Sequence, residues 1–131
     1  MIDTTALPLS SLHEKLGIEI TRVSATEVVG SMPVTGNTQP AGLLHGGATA
    51  ALIEGLASLA AWLHAHPERV AVGVDLNVTH LRPVTSGKVT GRAVPVRLGN
   101  GTVVHTVDVH DDEGRLTATG RLTSQLVAPK K

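Results

Sequence analysis

The sequence predicts an α+β fold, one long helix on an antiparallel sheet, and three observations carry that reading. Residues 46–65, GGATAALIEGLASLAAWLHA, are the only long helical candidate. Four strand-like segments follow it with no second long helix between them. Two more β-rich segments, Ile18–Ser24 and Glu27–Val34, precede it behind one short helical stretch.

Each element has a local reason. Residues 1–8 read as loose. Ser11-Leu12-His13-Glu14 then has the S-x-x-E pattern in which a hydroxyl and a carboxylate cap a helix start reciprocally. Leu9, Leu12 and Leu16 fall on one face of that helix, and Gly17 stops it. The stretch TGNTQPAG over 35–42 is a loop by its turn residues. In the long helix, at about 100° per residue, Leu52, Leu56, Leu59 and Leu63 form one stripe, read as the core contact. The opposite face carries Ala50, Glu54, Ala57, Ser58, Ala61 and Ala65. A solvated face is normally rich in Lys, Glu and Arg, so this alanine face is expected to be covered, most simply by a second copy of the chain. Downstream, Val70, Val72, Val74, Leu76 and Val78 alternate with smaller or polar residues. Lys88–Leu98 and Thr102–His110 flank a Gly99-Asn100-Gly101 turn, and Arg115–Val127 alternates strictly after Asp111-Asp112-Glu113-Gly114.

Composition narrows the function. The 131 residues carry eleven Lys plus Arg against eleven Asp plus Glu, so no electrostatic footprint for nucleic acid or anionic lipid is present. Apolar residues make up 41% and charged ones 17%, a globular balance that fits a single domain. With one Trp and no Phe or Tyr, bases have almost nothing to stack on, and the core must be aliphatic. The absence of Cys removes disulfides, thiolate metal sites and a thiol nucleophile. No apolar run is read as reaching the roughly 18 residues of a membrane span. The start, MIDTTALPLS, lacks the basic region of a secretory leader, so the expected location is the cytoplasm.

The chemistry-bearing residues gather where loop meets helix. Gln39-Pro40-Ala41-Gly42-Leu43-Leu44-His45-Gly46-Gly47 runs straight into the helix start. Backbone N–H groups there, at the positive end of the helix dipole, suit an oxyanion. Glu54 follows two turns on and Ser58 one turn beyond it. A donor, a carboxylate and a hydroxyl make up an acyl-transfer kit.

Gln39, His45-Gly46-Gly47, Glu54 and Ser58, followed by Asn77-Val78-Thr79-His80-Leu81-Arg82-Pro83, resemble the hotdog-fold acyl-CoA thioesterases. The branch resembled is that of the phenylacetate-pathway and 4-hydroxybenzoyl-CoA thioesterases, over about residues 30–127. The resemblance implies the hotdog fold, a long central helix wrapped by a curved antiparallel sheet, as one domain over 1–131 with 1–8 and 128–131 as loose tails. It implies hydrolysis of an acyl-CoA thioester to a carboxylic acid and CoA, without a metal or other cofactor. By the same resemblance, the Gly46 N–H polarises the carbonyl, and Glu54 attacks it or activates water. Gln39 and His45 place the thioester and support the helix start, Ser58 helps hold the water, and Gly47, His80 and Arg82 lie toward CoA. Two sites form across a homodimer, Glu54 of one chain facing Gly46 of the other, and two dimers form a homotetramer. Relatives often have Phe where Ala41 stands. With no Phe or Tyr available, a small or flexible acyl group fits the sequence as well as an aromatic ring does.

Rival readings are weaker. His64-Ala65-His66 is the only close histidine pair, and neighbours two apart on a helix point away from each other, so no metal site is read there. His105 shares the apolar side of its strand with Val103, Val107 and Val109, as a core or interface histidine would, and His110 sits at a turn. No G-x-S-x-G elbow supports a serine hydrolase. A non-catalytic acyl-CoA-binding module would need neither Glu54 nor Ser58. A hydratase would need a paired Asp and His that the spacing does not offer.

Overall fold

The computed structural model describes Leu7 and residues 10–130. Its elements in chain order are α1 (Ser11–Leu16), β1 (Glu19–Val23), β2 (Val28–Pro33), α2 (Gly46–Ala65), β3 (Val70–His80), β4 (Lys88–Leu98), β5 (Thr102–Asp111) and β6 (Leu116–Val127). The strands form one antiparallel sheet in the order β1-β2-β4-β5-β6-β3, and α2 packs against five of them, β2 to β6. This is the hotdog architecture the resemblance implied. The tail expected over 1–8 falls mostly outside the described residues. Leu7, which is described, is buried against the core.

The α1 cap differs from expectation by one residue. Ser10, not Ser11, is the N-cap, and its Oγ accepts from the His13 N–H at 3.4 Å. Gly17 ends the helix in the left-handed conformation, as its position predicts (φ 75°). Leu9 lies outside the described residues.

The phase of α2 also differs. Leu52, Ile53 and Leu56 are fully buried, but so are Ala57 and Ala61, and Leu59 and Leu63 are only partly covered. Ala57, Ala61 and Ala65 therefore face the chain's own interior rather than a second chain. At Leu56 the sheet comes close: a Cβ on Gly91 of β4 would stand 2.7 Å from Leu56 Cδ1, and one on its cross-strand partner Gly30 of β2 would stand 2.7 Å from Leu56 Cδ2. Leu56 occupies the slot between these glycines. Contrary to the expectation of no such run, α2 is long and apolar enough by length and composition to cross a membrane. In this fold the helix lays one buried side, including Leu52, Ile53, Leu56, Ala57 and Ala61, against the sheet, while its other side is only partly covered.

The start of α2 is tied down by Asn37. Its buried side chain donates from Nδ2 to the Leu16 carbonyl at 2.7 Å and to the Pro33 carbonyl at 2.8 Å. The Asn37 carbonyl accepts from the His45 N–H at 2.8 Å, and the Leu44 N–H donates to the Val84 carbonyl at 2.8 Å. The loop entering the helix is thus fastened to α1, to β2 and to the segment after β3.

Candidate active site

His45 is the N-cap of α2. It is extended (φ −67°, ψ 131°), and its Nδ1 accepts from the Gly47 N–H at 2.8 Å. Accepting at Nδ1 puts a neutral ring's proton on Nε2. The Gly47 donor is therefore committed to the cap. No hydrogen bond engages the Gly46 N–H among the described residues, so it is the open donor of the first turn.

Gly46 lines a cavity of about 390 Å³ together with Gln39, Thr49, His80 and Arg82. The His80 ring lies flush with Gly46, since a Cβ there would stand 3.0 Å from His80 Nε2. Gln39 folds back so that its Oε1 accepts from the Ala41 N–H, leaving its amide N–H groups free to donate. Four of the expected residues thus share one cavity.

Glu54 and Ser58 share a different one, of about 440 Å³, on the flank of α2. The exposed Glu54 carboxylate projects over β3, where a Cβ on Gly73 would stand 3.1 Å from its Oε2. Eight residues of helix separate Gly46 from Glu54, a rise of about 12 Å at about 1.5 Å per residue. Within one chain the two groups open into separate cavities. His45 and Gly47 line a third hollow with Leu12 and Asn37.

Among the residues of the Glu54 cavity that the sequence reading did not place there are Trp62 and His13. Trp62 lies eight positions after Glu54 and four after Ser58, the same spacing that had singled out Ser58. It supplies an aromatic wall where none was expected from the lack of Phe and Tyr. Its ring stacks on His66 at 4.5 Å between centroids. His13 comes from α1 and could be found only from the packing.

His110, expected at a turn, lies inside β5 opposite Thr90 and is half-buried, because the strand runs on to Asp111. His64 is exposed, with Nε2 3.2 Å from the Gly99 carbonyl. That places the Gly99 turn beside the end of α2, far from His80 and Arg82 at its start. His105 is 3% exposed, and its Nδ1 has no partner among the described residues. Burial holds its pKa below the ordinary value, and the nearby His64 adds to that. Among the described residues no three His, Asp or Glu side chains gather as a metal site would need.

Comparison with known proteins agrees with the geometry. The family model of the thioesterase superfamily matches residues 41–118. The proofreading thioesterase EntH of Klebsiella pneumoniae is 48% identical over 108 residues, 82% of this chain and 79% of that protein. Among solved structures, the Haemophilus influenzae thioesterase HI1161 superposes with a TM-score of 0.87 at 41% identity, covering 90% of this chain and 83% of that one. A variant of the Pseudomonas aeruginosa thioesterase PA1618 gives 0.88 at 36% identity, over 91% and 87%. The chain belongs to the thioesterase superfamily, and these likenesses indicate a thioester hydrolase.

Proposed function

We propose that this protein hydrolyses acyl-CoA thioesters, releasing a carboxylic acid and CoA, at two sites shared across a homodimer. The carrying observation is the separation of the open Gly46 donor from the Glu54 carboxylate on one helix, with Glu54 next to an unpaired sheet edge. β3 is an eleven-residue edge strand, and Val70, Val72 and Val74 on it are 38%, 46% and 59% exposed. Such an edge is a template for pairing with another chain. A second β3 laid antiparallel on the first carries each Glu54 toward the other chain's Gly46.

In that site the thioester oxygen accepts from the Gly46 N–H, at the positive end of α2. Glu54 either attacks the carbonyl carbon or takes a proton from an attacking water that Ser58 helps to hold. The C–S bond breaks and CoA leaves as the thiolate, taking up a proton; on the attack route the acyl–Glu54 anhydride is then hydrolysed by water to free the acid and restore the carboxylate. His45 keeps the first turn in shape, and the free Gln39 amide donates to the thioester. His80 and Arg82 lie on the CoA side, where a guanidinium suits phosphate oxygens, while Gly47 shapes the helix start. The reaction needs no metal or redox cofactor. We place the enzyme in the cytoplasm, as a dimer of dimers.

The test is thiol release from a panel of aromatic and aliphatic acyl-CoA substrates by wild type and Glu54→Gln. The variant keeps the size of the side chain but loses its charge, so turnover should drop by about 10² or more while substrate binding changes little. Near-normal turnover would remove Glu54 from the chemistry. A wild type that binds acyl-CoA yet releases no thiol would be a binding module.

A further inference from the structure

We infer that His13 is a specificity-determining residue of the acyl pocket, where its imidazole pairs with a polar substituent on the acyl part of the substrate. This rests on reading the Glu54 cavity as the acyl side of the site.

The ring is seated on a glycine that has no other evident use. A Cβ on Gly55 would stand 2.2 Å from His13 Nε2 and 2.7 Å from Cε1, so any other residue at 55 would expel the imidazole. Glycine inside a helix is unfavourable by about 0.5–1 kcal/mol relative to alanine. No left-handed backbone angle at Gly55 explains it, since its φ is not positive. The room it leaves is filled by His13. The backbone of His13 is fixed at both ends of its turn, its N–H on Ser10 Oγ and its carbonyl accepting from the Ile18 N–H at 2.9 Å.

The ring has hydrogen-bonding capacity to spare. No hydrogen bond to either ring nitrogen is found among the described residues. Burial lowers its pKa, so at neutral pH it offers one donor and one acceptor. Around it the cavity wall is mostly apolar: Leu12, Ala51, Leu59, Trp62 and Ala71. Of the other polar side chains there, Ser10 caps α1, and Glu54 and Ser58 serve the reaction. A hydroxyl carried into this cavity by the acyl group would be stranded against such a wall unless His13 received it, and stranding a polar group is costly. A site built to pair such a group also discriminates against the analogue without it.

The test compares kcat/KM for hexanoyl-CoA and benzoyl-CoA with their monohydroxylated forms, the hydroxyl placed at each position in turn. Wild type should favour at least one hydroxylated form over its parent. His13→Leu should lower kcat/KM for that form about tenfold, the worth of one hydrogen bond. Its loss on the parent should be smaller, so that the ratio of kcat/KM for the hydroxylated form to that for the parent falls, and His13→Gln should restore part of that ratio. Gly55→Ala, which expels the ring without altering it, should repeat the Leu result in a chain whose circular dichroism is unchanged. Equal losses on hydroxylated and parent substrates would make His13 a packing residue only and overturn the inference. So would a preference that survives both His13→Leu and Gly55→Ala. A wild type inert toward every thioester, or an active Glu54→Gln, is a different failure, since it overturns the underlying thioesterase reading and this inference with it.

Discussion

Position 46 is the first residue inside α2, the one helical position at which proline is welcome, because its missing N–H is not needed by the helix. The preceding His45 already has the extended backbone that a residue before proline requires. Gly46→Pro should therefore fold with little change in Tm while losing the proposed carbonyl donor. Loss of one such donor costs about 3–4 kcal/mol of transition-state stabilisation, or roughly 10²–10³ in kcat. Gly46→Ala presses on His80 in the same way but keeps the N–H, so it should retain much more activity than the proline variant. Equal thiol-release rates in the two would dismiss the donor. His105 supports a prediction of another kind. Its folded pKa lies below the ordinary 6.5, so the unfolded chain takes up the proton first as pH falls. Stability is then fully present above about pH 6.5 and is lost progressively below it. Melting scans from pH 7.5 to 5.5 should show Tm falling, and His105→Phe should flatten the slope. At this scale the sequence was most legible where residues share one helix: periodicity set Glu54 and Ser58 on one face, the resemblance gave them roles, and they line one cavity with Trp62, which the same spacing could have added. His13 was not legible, because its role depends on where α1 lands on α2.

Among the elements, strand ends were easy to read, and Lys88–Leu98 matches β4 residue for residue. Alternation of large apolar with polar residues leaves little freedom in assigning faces. The phase of α2 was harder. A helix made largely of Ala and Leu is apolar in every direction, so periodicity could not say that Ala57 and Ala61 face inward. The correction changes what a mutation there would do. Ala57→Arg would put an unpaired charge into the chain's own core, at a cost of several kcal/mol, and should unfold the chain rather than merely separate subunits. The Leu56 slot allows a finer measurement. Gly91→Ala should destabilise by about 1–3 kcal/mol through overpacking, and Leu56→Ala by about 2–5 kcal/mol through a cavity. With Leu56 already truncated, the added methyl at 91 has room, so the double variant should be more stable than the sum of the singles implies. Additive denaturation free energies would show that the contact carries no coupling.

For the whole molecule, the proposed site, with Gly46 and Glu54 drawn from different chains, would make activity a property of pairs. Glu54→Gln and Gly46→Pro chains should each be nearly inactive alone. Mixed and refolded together in equal amounts, about half the dimers are hybrids, and each hybrid has one site built from two intact halves. Activity should recover to about a quarter of wild type by that count. No recovery, in a mixture shown by mass spectrometry to contain hybrids, would place each site within one chain. The sequence suggested this pairing through the alanine face, which was the wrong surface. The structure offers the β3 edge instead, which sequence could not reveal because strand order is set by tertiary pairing.

The fit of Leu56 between Gly30 and Gly91 has a consequence for how substrate range can be re-engineered. A branched side chain locked between two adjacent strands indexes the helix like a key in a keyway, fixing its travel along the sheet and its rotation about its own axis. Gly46 and Glu54 ride on that indexed rod, two turns apart. His13, Trp62 and Ala71, which line the cavity proposed to take the acyl group, lie outside the keyway. They can be exchanged to admit longer, wider or more polar acyl groups while the catalytic spacing stays as it is. A library confined to those three positions should therefore yield altered selectivity with undiminished folding, whereas the same diversity at 30, 56 or 91 would spoil every substrate alike.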